Sequence, residues 1–161
     1  MKKLVEQIAQ WHHDRNLIEG ATDKAQYIKL IQEYGELSGN LFDGKDIRDD
    51  VGDMMVVLIN ITTRNKINFI ECATSALNTS LLDLTNTKRA LLLTQQLGFL
   101  GDAMCKNKDL VLVITDTLAI LLSIMERSSH SIDECLEVAY NDIKDRKGRM
   151  VDGIFIKQGD F

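Results

Sequence analysis

Glu33 and Glu36 stand three residues apart in "LIQEYGEL", and Asp50 and Asp53 stand three apart in "RDDVGDMM". On a helix this spacing puts both members of a pair on one face, one turn apart. The short turn "FDGKD" between the runs makes their helices antiparallel neighbours and brings the four carboxylates together. Like charges in a water-poor site repel, and an unpaired buried carboxylate costs several kcal/mol, so a cation is the natural compensation. An all-oxygen donor set suits a hard divalent ion, Mg²⁺ or Mn²⁺, rather than zinc. One Glu-x-x-Glu pair alone reads as a solvated helix face. Two pairs, with "MMVVLINI" apolar nearly all round directly after Asp53, do not.

The elements that must position these acids follow from periodicity and cap signals. Helices are predicted at about Lys3 to Arg15, Lys24 to Leu41 (capped by Thr22 or Asp23) and Asp46 to Asn65. A fourth starts at the capping box "NFIE", Asn68 to Glu71. Others are predicted at Thr87 to Cys105, Leu110 to Ser128 and, after the capping box "SIDE", Ile132 to Lys147, with Gly148 as the stop. No strand is expected: the chain has no proline and reads as an all-α antiparallel bundle.

The 161 residues, 45% hydrophobic, fit one domain with one core. A formal charge of -5 argues against a general nucleic-acid-binding surface. Cys72, Cys105 and Cys135 lack metal-ligand spacing, and "MKKLVEQIAQWHHDR" is too charged for a signal peptide, so a reduced, cytoplasmic protein is expected. No apolar run reaches the roughly 18 residues that span a bilayer, so no membrane partner is expected.

The chain also resembles itself. A shift of 63 positions, which takes Cys72 to Cys135, aligns residues 32–78 with 95–141 without a gap. Gly35, Lys45, Asp46, Asp53 and Glu71 meet Gly98, Lys108, Asp109, Asp116 and Glu134, as an internal duplication of a helix pair would give. Of the four paired acids only Asp53 keeps its character; Glu33, Glu36 and Asp50 become Gln96, Phe99 and Val113. Phe99 and Val113 are expected to pack, which would make the first copy's acids inward-facing. The predicted organisation of domain 1–161 is a working helix pair at about 24–66, a degenerate repeat at about 87–130, and a C-terminal helix with a basic tail at 131–161.

Two other motifs are set aside. "GNLFDGKD", Gly39 to Asp46, has the glycine and lysine spacing of a P-loop, but Asp46 replaces the Ser or Thr and no strand precedes it. A di-iron carboxylate bundle needs Glu-x-x-His pairs, which His12, His13 and His130 do not supply. His12 and His13 are expected to be exposed or capping residues.

The run "KLIQEYGELSGNLFDGKDIRDDVGDMMVVLIN" resembles the MazG-like family of all-α nucleoside triphosphate pyrophosphohydrolases, whose hallmark is Glu-x-x-Glu followed by Glu-x-x-Asp. "QWHHDRNLIEGATDKAQYIKL" before it and "AYNDIKDRKGRMVDGIFIK" after it resemble the flanks of short, phage-type members; the likeness covers residues 5–66 and 132–157. It implies Mg²⁺-dependent cleavage of a nucleoside triphosphate to the monophosphate and pyrophosphate. Glu33, Glu36, Asp50 and Asp53 would then be the metal ligands. Asp50 departs from the family's glutamate and is one carbon shorter, so its reach to metal would be through water. Asp49 points about 100° away around the helix and reads as surface.

Glu36, with Glu33 beside it, is the choice for accepting a proton from the attacking water. Lys144, Arg146, Lys147 and Arg149 of the tail suit phosphate charge, although cations there also complement a helix C-terminus. Lys29 and Gln26 lie one and two turns before Glu33 on its face. Asn60 suits a base or sugar, or a capped buried amide, and Trp11 suits base stacking or the core. The resemblance implies a pseudo-dimeric chain whose second half takes a partner subunit's place, with two chains pairing as a homodimer. The rival reading is a non-enzymatic nucleotide-binding sensor or helical interaction module.

Overall fold

The computed structural model describes residues 1–79, 84–152 and 154–159. Seven helices and one hairpin follow in chain order: α1 (Lys2–Asp14), α2 (Asp23–Asp43), α3 (Arg48–Arg64), α4 (Phe69–Leu77), α5 (Asn86–Cys105), α6 (Val111–Arg127), α7 (Ile132–Ile143), β1 (Gly148–Val151) and β2 (Ile154–Lys157). The caps follow the sequence at Thr22 and Ser131; at Asn68 the cap forms without the reciprocal half of the expected capping box, since Glu71 accepts from the Asn68 side-chain amide, and Thr85 is a further cap. Thr22 and Thr85 side chains accept from Ala25 and Lys88 N–H, Asn68 accepts from Ile70 and Glu71 N–H, and Ser131 with Glu134 forms a complete capping box. Each cap satisfies an otherwise orphaned helix donor and is worth about 1 kcal/mol. The P-loop-like stretch is the end of α2, closed by Gly44 in the left-handed conformation (φ 67°).

The all-α expectation needs one correction. The last helix ends at Ile143 rather than Lys147, and the supposed basic tail is an antiparallel hairpin pairing Gly148 with Lys157 and Val151 with Ile154. Residues 160 and 161 of that tail lie outside the described residues. The helix ends early because Arg15 reaches across from α1's C-terminus: its Nε donates to the Arg146 carbonyl (3.0 Å) and Nη2 to the Lys144 carbonyl (3.0 Å). These carbonyls are therefore satisfied without a further helical turn.

The duplication is visible in the backbone. Helices α2, α3 and α4 begin at residues 23, 48 and 69, and α5, α6 and α7 begin at 86, 111 and 132, each displaced by the same 63 positions. The left-handed turn residues repeat as well: Gly44 (φ 67°) and Lys66 (φ 57°) recur as Asn107 (φ 50°) and Ser129 (φ 62°). The two copies exchange their third helices: α3 packs most extensively on α7, and α6 packs on α4 as well as on α5. Helices α2 and α5 face each other antiparallel. The Tyr27 hydroxyl donates to the Leu97 carbonyl (2.9 Å) and the Tyr34 hydroxyl to the Ala90 carbonyl (2.8 Å), and 27 and 34 are the positions equivalent to 90 and 97. These reciprocal bonds mark an internal pseudo-twofold axis.

One contiguous core joins both copies, with α3 at its centre and every residue of 54–62 buried. Leu30, Leu58, Leu93 and Leu121 are fully buried. Gly52 is the closest approach of α3 to α7: a Cβ there would lie 2.3 Å from the Cys135 carbonyl oxygen and 2.7 Å from Ala139 Cβ. Among the described residues no helix is long and apolar enough to cross a membrane.

Candidate functional site

A cleft of about 590 Å³ opens between α1, α2, α3 and the hairpin. Lys29 and Glu33 of α2, Asp53 of α3 and Arg146 just beyond α7 are charged lining residues, as are Lys24, Asp152 and Lys157; Trp11, Leu17, Val56, Val57, Ile143 and Phe155 make it apolar elsewhere. Lys29 and Glu33, one turn apart on α2, form an ion pair, and the Glu33 carboxylate is buried. Asp53 is half-buried. Burial first, then the charges of Glu33 and Asp49, push its carboxyl up to about 7, against the opposing pull of Arg146 and Lys29.

The remaining acids of the sequence reading gather beside this group. Asp50 is buried, and both its oxygens accept from Asn40 Nδ2 at 3.0 Å. Burial holds its pKa above the ordinary carboxylate value although the Asn40 hydrogen bonds oppose this, and Asp49, Glu36 and Glu33 push it further up. Glu36 is exposed, with Gln32 Nε2 at 3.5 Å from its Oε1. Asp49 belongs to the set despite its exposure. Burial and then Asp142 raise its pKa, Arg146 lowers it, and Glu36 and Asp46 raise it again. Asp142 in turn is paired with Arg146.

These carboxylates outnumber Lys29 and Arg146, so the site carries excess negative charge in partly desolvated surroundings, and its donors are the hard oxygens a divalent cation prefers. The side chains are not gathered around a point, however: among the described residues no three His, Cys, Asp or Glu side chains converge closely enough to hold a metal ion. Glu33 is turned to Lys29 and Asp50 to Asn40. The set fits a hard cation in charge and donor type, and closing on one requires those two carboxylates to exchange their present partners for it.

The other residues singled out from the sequence divide between cleft and elsewhere. Gln26, Lys29, Trp11 and Arg146 line the cleft. Trp11 is also core: its Nε1 donates to the Ile143 carbonyl (2.8 Å), the Arg15 guanidinium lies 4.5 Å over its ring and Phe155 packs on it edge-on at 6.1 Å. Asn60 lines no part of the cleft. It is fully buried, and its Nδ2 donates to the Leu17 carbonyl (3.2 Å), tying α3 to the connector after α1. Lys144 is exposed and bonded to Asn141 (2.8 Å), while Lys147 and Arg149 are exposed around the start of the hairpin, so of the four basic residues only Arg146 reaches the site.

Two expectations are overturned. His12 is neither exposed nor capping: it is 3% exposed, lines the cleft, meets Trp11 edge-on at 5.3 Å, and its Nδ1 has no hydrogen-bond partner. Burial, then His13 and Arg15, lower its pKa to about 3, so the ring is neutral. Adjacent residues of one helix are both buried here because α1 is covered by α3 and α7 and Trp11 by the hairpin as well. The second concerns the repeat: Phe99, in place of Glu36, does not pack but stands 53% exposed, and Val113 is half-buried. The loss of acid in the second copy therefore leaves an apolar surface rather than extra core.

No protein-family profile and no solved structure matches the chain. A protein of Haemophilus phage HP1, described as an uncharacterized 18.2 kDa protein in the rep-hol intergenic region, is 38% identical over 72 residues. That stretch is 44% of this chain and 44% of the phage protein, so the likeness spans under half of each.

Proposed function

We propose that the chain is a Mg²⁺-dependent nucleoside triphosphate pyrophosphohydrolase, hydrolysing an NTP or dNTP to the monophosphate and pyrophosphate by water attack at the α-phosphate. The observation that carries this is a cleft that holds Glu33 and Asp53 with Lys29 and Arg146, has Glu36, Asp49 and Asp50 beside them as further acids, and continues into an apolar pocket lined by an unpartnered neutral imidazole. A cation and triphosphate suit the first part, and a base with polar edge groups suits the second. Its volume falls in the range of small-molecule sites, about 300–1,000 Å³.

On this reading Glu33, Glu36, Asp50 and Asp53 would hold magnesium, which when bound supplies positive charge against the triphosphate and lowers the pKa of water. Glu36, the one of the four that is exposed and held only by a long contact to Gln32, accepts the water's proton. The water oxygen bonds to the α-phosphorus, the bond to the α–β bridging oxygen breaks, and pyrophosphate leaves. Lys29 and Arg146 bind phosphate oxygens.

The test is pyrophosphate release from a panel of standard and modified dNTPs with Mg²⁺. Glu36→Gln is expected to lower turnover by about 10²–10⁴-fold, the usual worth of a general base. No release from any substrate by folded protein overturns the hydrolase. A nucleotide sensor is the second reading, favoured by the separate engagement of Glu33 with Lys29 and Asp50 with Asn40; binding without release would establish it.

The repeat gives an internal control. Asp116 occupies in α6 the place of Asp53 in α3, but its neighbours by repeat are Gln96, Phe99 and Val113 instead of acids. Asp116→Asn is expected to keep turnover within about twofold of wild type, as for a change away from the chemistry. Equal loss from Asp116→Asn and Asp53→Asn would show that both copies contribute. The same reading includes pairing of two chains as a homodimer.

A further inference from the structure

Ile28 of α2 and Ile154 of β2 are each 59% exposed and both line the cleft, from different elements. We propose that they form a pair of apolar lips holding the ring of a nitrogen heterocycle, which makes the C-terminal hairpin a specificity element. This rests on the nucleotide reading above and names how the non-phosphate part of the ligand is gripped.

Large apolar side chains left in water at the rim of a cleft gain by being covered, and a flat ring entering between them covers both. Leu91, the repeat equivalent of Ile28, is also exposed but lies outside this cleft, so only Ile28 is set opposite the hairpin's ligand space. The hairpin is fixed in place. Phe155 packs on Trp11, and a Cβ at Gly148 would meet the Phe155 ring at 2.5 Å and the Ile156 carbonyl oxygen at 2.3 Å, so glycine allows β1 to lie against β2 and Phe155. Arg15 holds its root through the Lys144 and Arg146 carbonyls.

The apolar surroundings contain one buried polar atom without a partner, His12 Nδ1. Such an atom costs free energy until something bonds to it; it is closed off from solvent, so a ring with hydrogen-bonding edge groups gains from it only where binding shifts its cover. Glu33, Asp53, Lys29 and Arg146 in the same cleft leave the charged remainder of the ligand where a phosphate chain and cation belong.

Trp11 is the single tryptophan and lines the cleft, so its fluorescence reports occupancy directly. Two probes are titrated with Mg²⁺: an α,β-methylene dNTP, which does not hydrolyse, and inorganic tripolyphosphate, which has no ring. Ile28→Ser and Ile154→Ser are each expected to weaken the methylene dNTP about tenfold and leave tripolyphosphate unchanged. Leu91→Ser, at the position equivalent to Ile28 in the second copy, is expected to change neither. Wild-type affinity for the dNTP in both isoleucine variants, or equal weakening of both probes, overturns the lips. Ring-dependent weakening in a protein that releases no pyrophosphate sustains them while removing the hydrolase. If wild type binds neither probe, both ideas fail. Because both isoleucines are largely exposed, the variants are expected to fold, and a melt of each verifies it.

Discussion

Asp53→Asn is expected to abolish turnover and at the same time make the cation-free protein more stable above pH 7. The Asp53 carboxyl has its pKa raised from the ordinary 3.8 to about 7, by burial first and then by Glu33 and Asp49. The folded state therefore binds more protons than the unfolded chain between about pH 4 and pH 7. Stability falls as pH rises through that window and stays at the lower level above it. An amide cannot ionise, so the variant loses this slope. It matches or falls slightly below wild type at pH 4 and exceeds it at pH 8. A shift of this size corresponds to about 4 kcal/mol at 1.36 kcal/mol per unit; discounted for partial exposure and screening, about 1–3 kcal/mol remains. That is about 3–8 °C in Tm for a chain of this length.

Melts from pH 4 to 9 measure it, with and without Mg²⁺. Added cation should raise the wild-type Tm at pH 8 and leave the variant nearly unmoved, because a ligand stabilises only the state that binds it. Turnover should drop by about 10³-fold or more, equivalent to about 4 kcal/mol of transition-state stabilisation. A pH-independent stability difference would refute the charge account of Asp53, and full turnover in the variant would remove it from the chemistry. A site that destabilises its own fold in this way is the usual cost of holding charge ready for a ligand.

Gly52→Ala is expected to be a strongly damaging single-methyl change. Its Cβ would meet the Cys135 carbonyl oxygen at 2.3 Å and Ala139 Cβ at 2.7 Å, and one of those atoms is backbone in the middle of α7, unable to swing aside. Helices α3 and α7 must separate at the most extensive helix contact in the fold. The gain in helix propensity, about 1 kcal/mol, offsets part of the overpacking, leaving a net loss of about 2–4 kcal/mol and about 5–12 °C in Tm. Gly35→Ala, with nothing within 4 Å of its Cβ in the middle of α2, supplies the opposite result: a gain of up to about 1 kcal/mol. Adding Ala139→Gly to Gly52→Ala relieves only the side-chain half of the clash, so rescue should be partial. Arg146 follows directly on α7, so substrate affinity should suffer more than the chemical step. Unfolding curves for Gly52→Ala and Gly35→Ala that coincide would rule out this crossing.

These two residues show where the sequence was sufficient and where it was not. Most of the helices, their caps and the 63-residue repeat were legible, because capping and amphipathic periodicity act between residues at most a turn or two apart: Thr22, Asn68 and Ser131 each mark a start. The acid set was legible for the same reason, since Glu33 with Glu36 and Asp50 with Asp53 are local spacings. The hairpin also left a readable sign, an Asp-Gly pair between "GRMV" and "IFIK", which the basic character of the surrounding tail obscured.

What only the tertiary structure decided is which of these local features meet. His12, read as a polar residue beside a second histidine, is buried because α3 and α7 cover α1 and the hairpin packs on neighbouring Trp11; no property of "WHHD" conveys that. Asp142 and Arg146 join Asp49 and Asp53 because the two copies exchange their third helices and α7 lies on α3, whereas an unexchanged pairing would have set α4 there. Asn60 is drawn into the core by Leu17 instead of facing the cleft. Helix caps and the hydrogen bonds within helices are local and so are written in the chain; burial, the pKa of Asp53 and the composition of the cleft depend on contacts between residues on different elements, far apart in sequence, and only packing selects those.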